Sequence, residues 1–426
     1  MEFNGSNISV TLVSEGTKTR AAANLRRRKT VKILCGILIP VVVLTIFLSV
    51  ILNPTYPGVP VGSVDGAYGT VLADIDGIVE ANPRIIDIAM LGAHDANSFS
   101  LKAENPVDYK DKDGILGKIK PISAGFQYRF AVTQTVPVGP LLLQGVRFLQ
   151  LKYTNYEGVW RATHSIIGRE LKYDVLEILE YLAGHRGEVV VVLFQPSYFG
   201  EESYDTFHNW LATVKYEGRN IYDYVGYEAA NVFGDEYGGG VCIDELRYND
   251  VTLNGTSSGV VLLDRREEGV ESGDTAPSAY SDLFFDMDSN AAHRWHSRIG
   301  SDVLVEEINE YCGELSVQRL YRHFLRVNQT QAAFSGATFG DVLRDIGEWS
   351  LLKFARKHNL ALLENENFDK WLEIMPVFQV DYANSDHGDF NARVNERIRA
   401  RNEEIVNILL RDGATYEDLY NQARTD

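Results

Sequence analysis

A chain of 426 residues, 45% hydrophobic and 11% aromatic, has enough apolar material for a large buried core and is too long for one small module. Its 59 acidic side chains against 41 basic ones leave a formal charge of −18 at pH 7, which argues against a nucleic-acid surface, where basic stripes and aromatic platforms are needed. Three cysteines do not make a disulfide scaffold: Cys35 falls in an apolar run, so one bridge between Cys242 and Cys312 is the most the sequence allows.

In chain order, residues 1–32 form a basic tail in which Lys18, Arg20, Arg26, Arg27, Arg28, Lys29 and Lys32 gather before an uncharged run of twenty residues, 33–52. At 1.5 Å per residue such a run spans about 30 Å, the hydrocarbon thickness of a bilayer. The basic flank predicts a single-pass type II anchor with everything after residue 53 lumenal or extracellular. A cleaved signal peptide competes with it, but the run is longer than the apolar part of a signal peptide and no small-x-small cleavage site follows. The same topology would leave the acceptor sites at Asn4 and Asn7 silent and put those at Asn254 and Asn328 on glycosylated surface loops. Residues 53–69, rich in Pro and Gly, read as a stalk, 70–412 as the folded domain and 413–426 as a C-terminal tail.

From residue 70 apolar β-branched runs alternate with amphipathic segments. The runs are "IIDIAML" (85–91), "VRFLQLK" (146–152), "EVVVVLF" (188–194), "GVVLLD" (259–264), "DLFFDM" (282–287) and "PVFQV" (376–380); helices are expected over 173–185 and 340–358. Continuous apolar runs indicate strands buried on both faces, and helices between them indicate parallel crossovers. Over this length the pattern predicts an α/β fold, a (β/α)8 barrel of TIM type.

In such a barrel the functional side chains follow the C-terminal ends of strands. The first run ends in Gly92-Ala93-His94-Asp95, where the small residues would let the backbone approach a ligand, and where Asp95 or Asn97 could instead cap a helix. The second run alternates Phe148, Gln150 and Lys152 onto one face. A short strand beginning near Val159 then leads to His164. Two histidines after consecutive strands supply the parts of a paired acid and base, with Lys152 available to neutralise an anion.

The segments "LGAHDANSF", "LLQGVRFLQLKY", "ATHSIIG", "DVLEILEYLAGHRGEVVVVLF", "GVVLLDRREEG" and "FQVDYANSDHGDFNARVNERI" follow one another in an order that resembles the X domain of phosphatidylinositol-specific phospholipases C, of the bacterial, metal-independent type and its single-domain eukaryotic relatives. The resemblance implies a lipid phosphodiester substrate, with His94 as general base oriented by Asp381 and His164 as general acid partnered by Asp95. It also implies a basic residue against the inositol hydroxyls, Arg265 or Arg266. The family pattern has Asp and Arg where this chain has Gln150 and Lys152, and often Lys where it has Gln195-Pro196. Lys152 keeps the charge but not the two-pronged contact to phosphate, so a substrate other than phosphatidylinositol or a slow turnover is implied. Gln150 and the arginines complete the set expected at the substrate.

No cofactor or metal site is evident: a hard cation wants several oxygen ligands, and Gln150 and Lys152 stand where calcium-dependent relatives have acids. His293-x-x-His296 is read as two surface histidines rather than a zinc pair, the carboxylates of 306–311 as a solvated helix face, and Trp295, Trp349 and Trp371 as core. The competing functional readings are a catalytically weak barrel serving as a membrane-anchored binding module, and a metal-dependent glycerophosphodiesterase-like enzyme.

Overall fold

The computed structural model describes residues 36–45, 67–108, 124–229, 240–266, 278–296, 300–331 and 350–422. The chain divides into two units, Met1–Pro54 and Thr55–Asp426. In the first, residues 36–45 form a helix with exposed side chains; the rest of the span expected over 33–52 lies outside the described residues. Among the described residues no helix is long and apolar enough to cross a membrane.

The second unit is built on ten strands among the described residues: β1 (Met90–Ala93), β2 (Val146–Tyr156), β3 (Val159–Thr163), β4 (Ile167–Glu170), β5 (Val189–Tyr198), β6 (Gly259–Asp264), β7 (Phe284–Asp286), β8 (Ala291–Trp295), β9 (Leu325–Gln329) and β10 (Val377–Val380). Eight of them run parallel in the order β7-β6-β5-β2-β1-β10-β9-β8, a curled sheet of the TIM-barrel type. No ladder joins β7 to β8 among the described residues; the four-residue helix Met287–Asn290 links them in sequence.

The continuous apolar runs follow from burial on both faces. Along β5, Val190, Val192 and Phe194 pack outward with Val175, Ile178, Leu179 and Leu182 of helix α1 (Lys172–Gly184), whose i, i+3, i+4, i+7 spacing makes one stripe. Val189, Val191 and Leu193 face inward and join Phe148, Val261, Leu263 and Phe285. Leu72, Ile75, Ile78, Ile85, Ile86 and Ile88 close this interior from the N-terminal end of the strands, so that end is plugged and the other is left as a mouth. Each such buried side chain contributes about 1.5–3 kcal/mol.

Several expectations need correction. Ile85–Asp87 is a 3-10 turn in the plug, so the first strand begins only at Met90. β3 is no barrel strand: β2 overruns the rim, reverses through Glu157 and Gly158 at φ 54° and 76°, and pairs antiparallel with β3, which pairs with β4. β8 and β9, broken by His293, Arg294, Arg326 and Asn328, have no unbroken apolar run to announce them. Helix α2 (Leu351–Leu363) overlaps the expected 340–358, whose first ten residues lie outside the described residues.

Asn328 is wholly buried in β9 and is not a surface acceptor, whereas Asn254 is exposed in a turn. Cys242 and Cys312 are not bridged to each other, and burial pushes the Cys312 thiol up to about 11. Residues 416–422, expected as part of a tail, form a helix whose Leu419 packs on Ile405 and Ile408 of helix α3 (Phe390–Leu409).

Candidate active site

Strand alternation fixes what lines the mouth. On β1, Met90 and Gly92 face inward, so the next inward residue after the strand is His94; on β10 the same count after Val377 and Gln379 reaches Asp381. The two strands pair in register, and His94 N–H bonds to Val380 O at 3.0 Å. Gly92 permits this closeness: a Cβ there would lie 3.1 Å from the Gln379 Cα and 3.3 Å from the Phe148 ring. The approach that needs small residues is thus strand to strand, not backbone to ligand.

His94 Nδ1 lies 2.8 Å from Asp381 Oδ1. A carboxylate only accepts, so Nδ1 carries the proton and Nε2 is left as the basic nitrogen, 3.5 Å from Asp95 Oδ2. Asp95, at φ 40°, turns the chain, and its Oδ2 is also 3.3 Å from His164 Nδ1. The second nitrogen partner, 2.8 Å away, is Ala131 O, which accepts from Nδ1 and fixes that tautomer too. The two imidazoles stand edge to face with centroids 6.1 Å apart. His164 reaches this place from the turn between β3 and β4, an excursion above the rim.

The capping alternative finds no support in the geometry. The turn after Asp95 has no side-chain cap, and Asn97 Nδ2 donates instead to Lys152 O at 3.0 Å.

Burial alone would push His94 down, but Asp95 and Asp381 more than offset it, and the pKa is raised; Lys152 works in the opposite direction. Asp381 is raised by burial, against the pull of His94. His94, Asp95, Lys152 and Asp381 are each less than a tenth exposed, so these charges act with little screening.

The other expected residues separate. Lys152 lies on the inner face of β2, close enough to bear on His94. Gln150 is one layer deeper, its amide held between Gln195 and Gln379. Arg265 continues the inward alternation of Val261 and Leu263, and its Nε is 3.5 Å from Asp288 Oδ1. Arg266 points elsewhere, its Nε donating to Asp264 Oδ2 at 3.0 Å.

Sequence reasoning missed four contributors. His293 is on a strand, not a helix, and lies 3.5 Å from Asp288 Oδ1, lowered by burial and then by Arg265. His296 is buried, so neither is a surface histidine. Trp295 is not core but 43% exposed, its ring centroid 5.4 Å from that of His94; Trp371 is core, and Trp349 lies outside the described residues. Thr133 and Gln134 are fully buried and tie the site together: Gln134 Nε2 donates to His94 O (3.0 Å) and Val380 O (3.2 Å), and Thr133 Oγ1 donates to His94 O (2.8 Å). Only the polar triplet in "AVTQTV" hinted at them. Among the described residues no group of three or more His, Cys, Asp or Glu could hold a metal ion.

Among solved structures the chain is similar to a phosphatidylinositol-specific phospholipase C from S. aureus, at 17% identity and a TM-score of 0.50, over 79% of this chain and 99% of that one. The chain has the fold of the phosphatidylinositol-specific phospholipases C. A Listeria monocytogenes phosphatidylinositol-specific phospholipase C is also found, at 12% identity and a TM-score of 0.49 over 77% of this chain and 98% of that one. No family model and no curated protein sequence matches the chain. On this phospholipase C fold the mouth is the end where the two histidines meet, because the opposite end is filled by the isoleucine plug.

Proposed function

We propose that the protein is a phosphodiesterase of the phospholipase C type acting on a lipid phosphodiester whose head group carries a hydroxyl next to the phosphate. The observation that carries the reading is the two histidines at the barrel mouth, each beside a buried carboxylate, with centroids 6.1 Å apart. His94 Nε2 takes the proton of the hydroxyl, whose oxygen forms a bond to phosphorus. The bond from phosphorus to the leaving alcohol oxygen breaks, and that oxygen takes a proton from imidazolium His164. The products are a cyclic phosphodiester and a diacylglycerol-type alcohol. Asp381 orients His94 and stabilises its protonated form, Asp95 orients His164, and Lys152 offsets phosphoryl charge.

His94→Ala and His164→Ala are each expected to lower release of inositol phosphate from phosphatidylinositol by about 10²-fold or more while the protein stays folded. Unchanged turnover in either variant overturns the reading.

The apolar run 33–52 and its basic flank support a type II anchor that holds the domain on the lumenal or extracellular side. The exposed Asn254 makes this testable: in secretory cells, a mobility shift on deglycosylation that Asn254→Gln abolishes is expected, and its absence refutes the topology.

A further inference from the structure

Three amides cross the barrel beside the histidines, Gln379 and Gln150 one layer beneath His94 and Lys152 and Gln195 level with Lys152. Gln379 Nε2 on β10 donates to Gln150 Oε1 on β2, and Gln150 Nε2 donates to Gln195 Oε1 on β5. Each link consumes one end of an amide, so the chain has a direction. Gln379 Oε1 is buried without a partner; reversing Gln379 alone would set its oxygen against Gln150 Oε1, and reversing all three amides together would keep both bonds but leave the Gln379 amino group as a buried donor without a partner, the costlier orphan. Gln379 and Gln150 are buried, whereas Gln195 is partly exposed in the mouth, where its Cα is the register partner of Lys152. The chain therefore ends on Gln195 with the oxygen taken and the amino group left to face the mouth.

We propose that Gln195 is a head-group-positioning residue: the amide chain presents its uncharged amino group to a hydroxyl or ether oxygen of the head group, favouring a neutral polyol at that point. A neutral donor matches a neutral oxygen, whereas a phosphate there would lose hydration without a countercharge from this residue. Gln150 then acts on the substrate through Gln195 rather than by touching it. The inference rests on reading the site as a phosphodiesterase.

The test compares kcat and KM for phosphatidylinositol in the wild type, Gln195→Leu, Gln150→Glu and the double variant, with thermal unfolding to confirm folding. Losing one neutral hydrogen bond is expected to raise KM about three- to tenfold in Gln195→Leu, with kcat within about twofold. Glu at 150 only accepts, so it turns the Gln195 amino group inward and its oxygen to the mouth; a similar rise in KM follows, and the double variant is no worse than Gln195→Leu. An unchanged KM in Gln195→Leu, or single-variant losses that add, overturns the proposal. If the wild type turns over no lipid phosphodiester, the phosphodiesterase reading fails by itself. In that event weaker binding of myo-inositol by Gln195→Leu, read by saturation-transfer NMR, upholds the role of the amide chain, and equal binding overturns it.

Discussion

Asp381→Asn keeps the side chain's shape and removes its charge from the partner of His94. The contact is 2.8 Å and both groups are nearly out of solvent, so little screening intervenes. Hydrogen bonds to a charged group contribute about 1.5–3 kcal/mol, and about 1.4 kcal/mol corresponds to one pKa unit, so the variant should lower the His94 pKa by about 1–2 units. In the wild type burial pushes that pKa down, and Asp95 and Asp381 together push it further up; the variant leaves burial and Lys152 opposed by Asp95 alone. The acid limb of kcat/KM reports the base of the free enzyme, so it should move to lower pH by that amount, while the plateau falls by about 10²-fold through the weaker base. Stability follows the same sign. A folded pKa raised above the unfolded one adds stability that is full below the unfolded value and is lost as pH rises through the folded one, so the wild type's advantage over the variant should shrink on going from acid to alkaline pH. The assay is release of water-soluble phosphate from mixed micelles across about pH 5–9, with urea unfolding at the same pH values. An acid limb that stays put or moves to higher pH refutes the reasoning.

At the plugged end, Arg147 and Glu188 are both buried, Arg147 Nε donates to Glu188 Oε2 at 2.7 Å, and Glu188 Oε1 accepts the N–H groups of Val71, Leu72 and Ala73. Arg147→Met should cost about 3–5 kcal/mol in urea unfolding by leaving that carboxylate uncompensated, with kcat per folded molecule unchanged; a loss under about 1 kcal/mol contradicts the account. Gln134→Leu removes two donors from His94 O and Val380 O and the acceptor of Ala383 N–H, so it should cost about 1–3 kcal/mol and lower kcat more than it raises KM. Burial, opposed by the adjacent Arg169, pushes Asp174 up to about 7, so the folded state holds its proton longer than the unfolded one. The wild type should lose stability relative to Asp174→Asn as pH rises from about 4 through 7, checked by denaturation at each pH; a parallel pH dependence in the two proteins is the contrary result.

How far the site could be read from the sequence depended on how local its signals are. His94 and Asp381 directly follow β1 and β10 and Lys152 lies within the run on β2, and period-two counting carries each to the inner face. His164 was placed on the wrong kind of element, because an antiparallel excursion and a barrel strand have the same local pattern; only the pairing of β2 with β3 tells them apart. His293 was misread because β8 is too short and too polar to announce a strand against the spacing of two histidines, and Trp295 because tryptophans are most often buried. Thr133 and Gln134 lie in a segment whose role consists of hydrogen bonds to residues 35 or more positions away, for which a single sequence has no periodic signature.

The sequence by itself determined the α/β alternation, the doubly buried strands and the positions after strands where polar residues gather, since these follow from hydrophobic period and chain order. What only the tertiary structure decided is which polar residues meet. Asp95 comes within reach of both histidines because it takes a left-handed turn, Arg265 rather than Arg266 faces the mouth, and Gln150 is turned from a substrate contact into the middle of an amide chain. Those outcomes depend on strand register and on how buried donors and acceptors are satisfied across the barrel, where the competing arrangements share the same local sequence and differ only in their long-range partners.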